Sequence, residues 1–451
     1  MPLKKLFLLF LCVFLAWSCV PSAMNTDREM EKKIDSLLSK MTLEEKMGQM
    51  TLVSSSNVPE DEQFSEALRK GHIGSVINEV DPARVNAFQK IAVEESRLGI
   101  PLIVGRDVIH GFRTIFPIPL GLAATFNPEL VEQGARAAAM EATSAGVRWT
   151  FSPMLDISRD PRWGRIAEGF GEDTYLTSVM GVAMIRGYQG ADPGDPASLA
   201  ACIKHFVGYG AAEGGRDYNS TNLPERVLRN VYLPPFLAGI QAGSMTLMTS
   251  FNDNDGVPMT GNRFLVRDML RDEWNFKGFV VSDWASVNEM IPHGFASDQA
   301  HAAKLALEAG VDMDMMSFAY ITQLGKQVEE GAVSEKLIDE AVKNILRIKF
   351  QLGLFENPYV QEDLHKEMFY NPAHMELSRQ SAVQSAVLLS NDGTLPLNAE
   401  KIRSVLVTGP MADAPHDQLG TWVFDGEEQA TVTPLKAIRE HYGHRLRVLY
   451  Q

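Results

Sequence analysis

The chain has 451 residues, a length that corresponds to one large domain with part of another, or to two domains of medium size. Hydrophobic residues make up 45% of it and charged residues 22%, which is typical of a globular protein and excludes the disordered and fibrous classes. The net charge of −15, with no long run of basic residues, argues against a nucleic-acid partner.

The first 19 residues have the pattern of a secretory signal. Lys4 and Lys5 precede an apolar stretch from Leu6 to Trp17, which is too short to span a bilayer but suits the central part of a signal peptide. The residues that end in Cys19 are similar to a bacterial lipobox, in which this cysteine is lipidated and becomes the new N-terminus; a plain signal peptide is the alternative. We therefore expect a periplasmic or cell-surface protein whose membrane contact is a lipid on Cys19, anchored to the outer membrane.

The cysteine and histidine content predicts neither a disulfide nor a metal centre. Two of the three cysteines fall in the signal segment, and the third, Cys202, lies in an apolar run that favours a buried thiol over a nucleophile. The ten histidines are scattered, and no Cys/His group has the spacing of zinc ligands. We expect no metal and no cofactor.

The body of the chain alternates between short apolar runs and helical patterns. An amphipathic pattern predicts a helix over 27–41, and Thr42 followed by Glu45 predicts the capped start of the next helix. Eight apolar runs follow, at 50–53, 73–78, 102–107, 149–156, 202–206, 246–251, 279–284 and 311–315. Helical patterns lie between most of them, at 128–145, 174–189, 225–242, 300–309 and 334–352.

Eight buried strands that alternate with helices predict a parallel sheet, and eight units favour a closed (β/α)8 barrel, which we place at residues 20–357. An open doubly wound sheet is disfavoured because no Gly-rich phosphate turn follows the first strand. The carboxyl ends of the strands form the catalytic face of such a barrel. Polar residues stand at these ends: Asp107, Asp156, Lys204, His205, Asn252 and Asp283.

A second region follows a polar, proline-containing linker at 358–376. Its pattern predicts helices at 376–386 and 433–442, with strands at 386–390, 404–408 and 446–450. A βαβ unit that ends on a strand does not cover both faces of its sheet. We therefore expect residues 377–451 to be the N-terminal part of an α/β sandwich domain, in a chain that is truncated at its C-terminus.

Two strand ends carry side chains suited to sugar chemistry. Asp283 would lie at the barrel mouth, where a carboxylate can act as a nucleophile at an anomeric carbon, and the indole face of Trp284 can stack on a pyranose ring. The alternative is that Asp283 caps the helix that follows. Lys204 and His205 form an adjacent cation and imidazole that can donate hydrogen bonds to vicinal hydroxyls, or a pair that caps a helix or faces solvent.

Two loops add further polar groups. Asp107 follows a strand and can accept two hydroxyl hydrogen bonds at once. The loop 159–165 carries three arginines and a tryptophan, which suits an anion or sugar hydroxyls. A salt-bridged structural loop is the alternative, and we prefer it for Arg159, Asp160 and Glu172.

Taken together, these motifs resemble glycoside hydrolase family 3, and within it the periplasmic β-glucosidases, over about residues 28–451. The motifs are Asp107–Gly111 with Phe116–Pro119, Asp160–Arg165 followed by Glu168 and Gly171–Asp173, Lys204–Phe206, and Gly278–Trp284. The resemblance implies a retaining β-glycosidase that hydrolyses terminal non-reducing β-D-glucosyl residues of oligosaccharides or glucosides through a covalent glycosyl-aspartate intermediate. The alternatives are a β-xylosidase or broad-specificity β-glycosidase, and a catalytically impaired sugar-binding lipoprotein.

The same resemblance implies a role for each matched residue at the sugar. Asp283 matches the nucleophile, and Asp107 matches the carboxylate that holds the distal hydroxyls. Lys204 and His205 match the pair that donates to the ring hydroxyls, with Arg162 as the arginine beside them.

The resemblance also bears on the acceptor side of the site and on the acid. Trp284 matches an aromatic that lines the acceptor subsite, and Trp422 is expected to be the opposing aromatic from the second domain. In two-domain members the acid/base glutamate lies in the second domain, at a position we expect beyond the end of this chain. Glu427 and Glu428 are expected to be solvated surface residues instead.

Overall fold

A computed structural model describes residues 21–55 and 62–451 of the protein. The predicted signal segment 1–19 and its lipidation site Cys19 lie outside the described residues, so both stay predictions. In the part of the chain that is described, none of the helices combines the length and the apolar character needed to cross a membrane.

Eight short parallel strands form the first domain, and consecutive strands β1 to β7 are hydrogen-bonded in chain order. The last strand, β8, pairs with β1, while the Met313 amide donates to Val280 and the Ser282 amide donates to Met313 across the remaining seam. The predicted barrel is therefore confirmed. The strands are β1 Thr51–Ser54, β2 Ser75–Ile77, β3 Ile103–Arg106, β4 Trp149–Thr150, β5 Ala200–Phe206, β6 Thr246–Thr249, β7 Phe279–Val281 and β8 Asp314–Met315.

Helices connect these strands and pack around the sheet, and most of the helical patterns in the sequence coincide with them. The α-helices of this part are Pro21–Leu38, Leu43–Gln49, Glu62–Arg69, Pro82–Lys90, Pro119–Ala123, Pro128–Ser144, Thr174–Gln189, Glu225–Val227, Pro234–Gln241, Ser286–Glu289, Gln299–Ala309, Ala319–Glu329 and Glu335–Gln351. Wider π-helical segments are Ile91–Glu95, Leu228–Tyr232 and Phe264–Glu273. A small antiparallel hairpin joins Asp253–Asn254 to Val257–Pro258.

Side-chain caps explain why several helices begin where they do. The Thr42 hydroxyl accepts a hydrogen bond from the Glu45 amide, and the Glu45 carboxylate accepts one from the Thr42 amide, which is the predicted capping box. Asp173 and Asp298 each accept a bond from an amide three residues later and so begin the helices that follow them. These caps satisfy amides that have no partner within their own helix.

Aromatic side chains fill part of the barrel interior. The Trp149 ring on β4 lies 4.6 Å from the ring of Phe151 and 5.1 Å from that of Phe279 on β7, both in edge-on contact. Its indole N–H donates to the Thr246 hydroxyl on β6 at 2.8 Å, which satisfies the polar end of a fully buried ring. This packing links β4 to β6 and β7, which lie more than 90 residues later in the chain.

The second region contains a βαβ unit in which β9 (Ser404–Val407) pairs in parallel with β10 (Arg447–Tyr450), and helix Pro434–Tyr442 lies between them in sequence. The predicted strand at 386–390 is wrong. A strand needs a neighbour for its backbone groups, and among the described residues no backbone hydrogen bond joins 386–390 to another segment. The Leu389 side chain is 91% exposed accordingly. The other helices of this region are His365–Met368 and Pro372–Ser385.

Candidate active site

A cavity of about 710 Å³ opens at the carboxyl ends of the barrel strands. Six of the seven residues predicted to act on or bind a sugar line it, and they come from strand ends or loops far apart in sequence. The six are Asp107, Lys204, His205, Asp283, Trp284 and Trp422. The barrel topology therefore brings together the side chains that the sequence placed at separate strand ends.

Asp107 and Lys204 form an ion pair on one side of the cavity. Lys204 lies on β5 with 3% of its side chain exposed, and its Nζ donates to Asp107 Oδ1 at 3.0 Å. A buried ammonium needs such a partner, because removing an ion from water costs several kcal/mol. Among the described residues nothing donates to the second carboxylate oxygen, Oδ2, which leaves it able to accept from a ligand hydroxyl.

Asp283 follows β7 and has one oxygen fixed and one free. Its Oδ1 accepts a hydrogen bond from the Trp284 amide at 2.7 Å. Its Oδ2 is buried, forms no hydrogen bond, and lies 3.5 Å from His205 Nε2. Burial raises the pKa of Asp283 to about 6, although the charges of Arg165 and Lys204 act to lower it. Asp283 is therefore mostly ionised at neutral pH, and one of its carboxylate oxygens has no hydrogen-bond partner.

His205 and Arg165 lie beside Asp283 in a network of buried groups. His205 Nδ1 lies 2.8 Å from Asp156 Oδ2, and the His205 amide donates to the same oxygen at 2.9 Å. The Arg165 guanidinium binds both oxygens of Glu168, at 2.7 and 3.0 Å, and its Nη2 lies 3.1 Å from His205 Nε2. Arg165 and His205 both line the cavity, with 13% and 1% of their side chains exposed.

The prediction that Arg162 lies beside Lys204 and His205 is corrected by the structure. The Arg162 side chain is 71% exposed and outside the cavity, because it pairs with the nearby Asp160 at 2.6 Å. Arg165, three residues later, occupies the predicted place. The preference for a structural role of Asp160 agrees with this ion pair.

Aromatic rings from both regions form the outer wall of the cavity. Trp284 and Trp422 both line it and are 38% and 36% exposed. Phe424, which the sequence analysis did not single out, lies beside Trp422 with ring centroids 5.4 Å apart. The Trp422 ring also lies 5.5 Å from the Arg165 guanidinium and 5.7 Å from Lys204 Nζ.

Residues 420–427, here called the mouth loop, carry Trp422 and Phe424 and are held against the barrel by buried polar contacts. The carbonyl of Thr421 lies 2.8 Å from His110 Nε2. Arg106, at the end of β3, donates two hydrogen bonds to the Asp425 carboxylate, at 2.8 and 3.1 Å, in a pair whose side chains are 12% and 7% exposed. This bidentate geometry fixes the orientation of the loop as well as its position.

The two glutamates considered as local acids lie away from the cavity. Glu427 pairs with Arg113 at 2.8 Å and is 50% exposed. Glu428 pairs with His416 at 3.2 Å and is 54% exposed. Neither lines the cavity, in agreement with their expected role as solvated residues.

Sequence reasoning missed several residues of the site. Asn78 directly follows β2 and lines the cavity, so the strand-end rule could have found it. Tyr218 lies in an irregular loop after β5, where no periodic pattern marks it. Glu289 does not line the cavity, but it interacts electrostatically with Asp283: burial, followed by the charge of Asp283, raises the pKa of Glu289 to about 7.

Comparison with known proteins identifies close relatives. The model of the glycosyl hydrolase family 3 N-terminal domain matches residues 42–348. The periplasmic beta-glucosidase of Salmonella typhimurium is 41% identical over 423 residues, which cover 92% of this chain. A putative beta-xylosidase of Formosa agariphila is 36% identical over 415 residues, or 86% of this chain. The crystal structure of a beta-glucosidase from Listeria innocua in complex with glucose superposes with a TM-score of 0.88 at 40% identity, over 93% of this chain.

The chain spans only part of these relatives. It covers 55% of the Salmonella protein, 54% of the Formosa protein and 60% of the Listeria chain. Within that span the similarity is high and continuous, and the family model alone matches more than half of the residues. The chain belongs to glycoside hydrolase family 3.

Proposed function

We propose that the protein is a retaining β-glycosidase that hydrolyses terminal non-reducing β-D-glucosyl residues through a covalent intermediate on Asp283. The observation that carries the proposal is the buried Oδ2 of Asp283, which has no hydrogen bond and belongs to a side chain that lines a cavity together with cations and aromatic rings. Relatives named as beta-glucosidases in Salmonella typhimurium and Listeria innocua support the reaction class.

In the first step, Asp283 Oδ2 forms a bond to the anomeric carbon while the bond from that carbon to the leaving-group oxygen breaks. The leaving oxygen takes a proton from a general acid, unless it departs as a stable anion. The charges of Arg165 and Lys204 favour the ionised nucleophile against the effect of burial. The carboxylate also offsets the positive charge that develops on the sugar ring.

In the second step, a water oxygen bonds to the anomeric carbon while the water gives a proton to the conjugate base of the general acid, or to solvent if no acid took part. The bond to Asp283 breaks at the same time, which restores the carboxylate. Two inversions at one carbon retain the β configuration. In this proposal Asp107 Oδ2 accepts hydroxyls of the sugar in the glycone position, and Trp284 and Trp422 stack on the group on the acceptor side; all three residues line the cavity.

Azide rescue tests this assignment without requiring a general acid. We expect Asp283→Gly to lose turnover of a dinitrophenyl β-glucoside and to regain it when azide is added, with an α-glucosyl azide as the product. This product forms because azide attacks the face that the carboxylate has left open. Asp160→Gly is the matched control, because Asp160 pairs with Arg162 outside the cavity and should keep wild-type rates. Rescue that yields the β-azide, or no rescue of a folded variant that still binds glucose, would contradict the proposal.

A β-xylosidase is the second candidate, and the Formosa agariphila relatives named as beta-xylosidases favour it. The two sugars differ by the hydroxymethyl group at carbon 5. The kcat/KM values for matched aryl β-glucosides and β-xylosides distinguish the candidates. We expect kcat/KM for the glucoside to exceed that for the xyloside by more than tenfold. If kcat/KM for the xyloside is more than tenfold higher instead, the protein is a β-xylosidase. Saturable glucose binding with no turnover of either substrate would instead indicate a sugar-binding protein.

We further propose that the protein is exported to the periplasm and anchored by a lipid on Cys19. The name of the Salmonella relative and the pattern of residues 1–19 support this location. Mass spectrometry of the N-terminal peptide from the natural source should show a diacylglyceryl cysteine, and Cys19→Ala should release the protein from the membrane fraction. An unmodified N-terminus after Cys19 would favour the plain signal peptide.

A further inference from the structure

Both ring nitrogens of His205 have close neighbours. Nδ1 lies 2.8 Å from Asp156 Oδ2, and Nε2 lies 3.1 Å from Arg165 Nη2 and 3.5 Å from Asp283 Oδ2. A guanidinium carries N–H donors and no acceptor, so the contact with Arg165 requires a lone pair on Nε2. The proton of the imidazole must then be on Nδ1, where it is donated to Asp156.

We propose that Asp156 is a positioning residue that holds His205 with its proton on Nδ1, so that Nε2 accepts from Arg165 and aims the guanidinium at Asp283. This inference rests on the proposed function, because it concerns the nucleophile of that reaction. It assigns a task to Asp156, whose carboxyl group is buried and does not line the cavity.

The surroundings of Asp156 support a fixed acceptor. Asp156 is buried, and its Oδ2 receives two N–H groups of one residue, the amide and the ring of His205, so the carboxylate and the ring are held in one orientation. Burial, followed by the charges of Arg165 and Lys204, holds the pKa of His205 well below its usual range. The imidazole is therefore neutral, and a neutral imidazole has one donor and one acceptor.

Arg165 is fixed from its other side as well. Glu168, which is 1% exposed, binds its Nε and Nη2, so the guanidinium is held between a carboxylate and the His205 lone pair. This changes the predicted role of His205. The ring has no N–H left to donate to a sugar hydroxyl, so it acts on the reaction through Arg165 and the charge that Arg165 places beside Asp283.

The tautomer of His205 can be measured directly in the full chain with 15N-labelled histidine. Long-range proton–nitrogen spectra distinguish a protonated from an unprotonated ring nitrogen, and the His205→Gln variant identifies the resonances. We expect Nδ1 of His205 to be protonated and Nε2 unprotonated at neutral pH. A protonated Nε2, or a doubly protonated ring, would overturn the inference. Because this measurement needs no turnover, its result is independent of whether the proposed hydrolysis is correct.

Two substitutions test what Asp156 contributes. Asp156→Leu removes the acceptor, and we expect the nitrogen shifts to move toward a mixture of tautomers and kcat/KM for an aryl glucoside to fall about 10- to 100-fold, the range for a lost charge-assisted hydrogen bond. Asp156→Asn keeps an oxygen that can accept both N–H groups, so it should keep the tautomer and lose less activity than Asp156→Leu.

Asp160→Leu is the matched control for Asp156→Leu, because it makes the same substitution in the same loop at a residue that pairs with Arg162 instead of His205. It should leave both the histidine spectrum and kcat/KM unchanged. Equal losses in Asp156→Asn and Asp156→Leu would show that the charge of Asp156 matters rather than its acceptor geometry, and would contradict the proposal. If Asp156→Leu does not fold, the wild-type spectrum and Asp156→Asn still decide the question.

Discussion

Arg165 should set the pH at which the proposed glycosidase activity appears, and Arg162 should not affect that pH. Arg165 lines the cavity and its charge acts on Asp283, whereas Arg162 is exposed and paired with Asp160. Replacing Arg165 by Gln removes a positive charge beside the nucleophile. An ionised carboxylate loses stabilisation when a neighbouring cation is removed, so the pKa of Asp283 must rise.

The expected magnitude follows from the pKa of Asp283. Burial raises it to about 6 even with both cations present, so roughly nine-tenths of Asp283 is ionised at pH 7. A neighbouring opposite charge changes a carboxyl pKa by about 1–3 units. In Arg165→Gln the ionised fraction at pH 7 should therefore fall to between roughly one half and about 1%, and kcat/KM should fall about 2- to 100-fold from ionisation alone.

The assay is the pH dependence of kcat/KM for a dinitrophenyl β-glucoside, whose acidic limb reports the free enzyme's nucleophile. Arg165→Gln should move this limb to higher pH, and Arg165→Lys should move it much less because the charge is kept. Arg162→Gln should match the wild type. Since Arg165→Gln also leaves the buried Glu168 without its partner, thermal melting must confirm that each variant is folded. A limb that stays in place, or that moves equally in Arg162→Gln, would refute this reasoning.

Three further predictions concern stability. Arg106→Met leaves the buried carboxylate of Asp425 unpaired, which costs about 3–5 kcal/mol. Limited proteolysis should therefore cut the mouth loop faster than in the wild type. An unchanged cleavage rate would show that the Arg106–Asp425 pair does not hold the loop. Burial lowers the pKa of Lys349 to about 7, so above that pH the unfolded chain binds more protons than the folded chain. The free energy of unfolding, measured by urea titration, should therefore rise from pH 7 to pH 9. Lys349→Met should abolish the part of this rise that comes from Lys349. In Gly187→Ala the new Cβ would lie 2.2 Å from a carbonyl oxygen of the facing helix, which should destabilise the protein by about 1–3 kcal/mol, whereas Gly164→Ala meets nothing within 4 Å and should be neutral.

The barrel could be predicted from the sequence because its strands are buried on both faces. A strand such as β5 has all seven residues buried, and its sequence is an apolar run except for Lys204 and His205 near its carboxyl end. The polar residue that follows or interrupts such a run marks the carboxyl end of a strand. This rule predicts that Asp107, Lys204 and Asp283 lie at the same end of the barrel.

The choice between Arg162 and Arg165 could not be made in the same way. Both lie in one irregular loop, and neither helix nor strand periodicity distinguishes inward from outward positions there. The outcome depends on the carboxylate that each arginine binds. Arg162 pairs with Asp160, which is 26% exposed, whereas Arg165 pairs with Glu168, which is 1% exposed. Contacts of this kind become visible only in three dimensions.

The second region was harder to predict for a related reason. The run at 386–390 has the composition of a strand, but among the described residues no other segment pairs with it. Strand propensity reports the fit to a sheet rather than a preference of the backbone alone. Phe424 was missed because its place at the cavity depends on the Arg106–Asp425 pair, which joins residues far apart in the chain.

The central claim is that Asp283 forms a bond to the substrate, and trapping of the intermediate tests it most directly. The chain is incubated with a 2-deoxy-2-fluoroglucosyl donor that carries a dinitrophenyl leaving group, digested, and analysed by mass spectrometry. The fluorine slows both steps and the activated donor reacts without a general acid, so the glycosyl-enzyme accumulates. The account predicts one added fluoroglucosyl mass on the peptide that contains Asp283 and none in Asp283→Asn. A label on another residue, or no label on a folded protein that binds glucose, would contradict it.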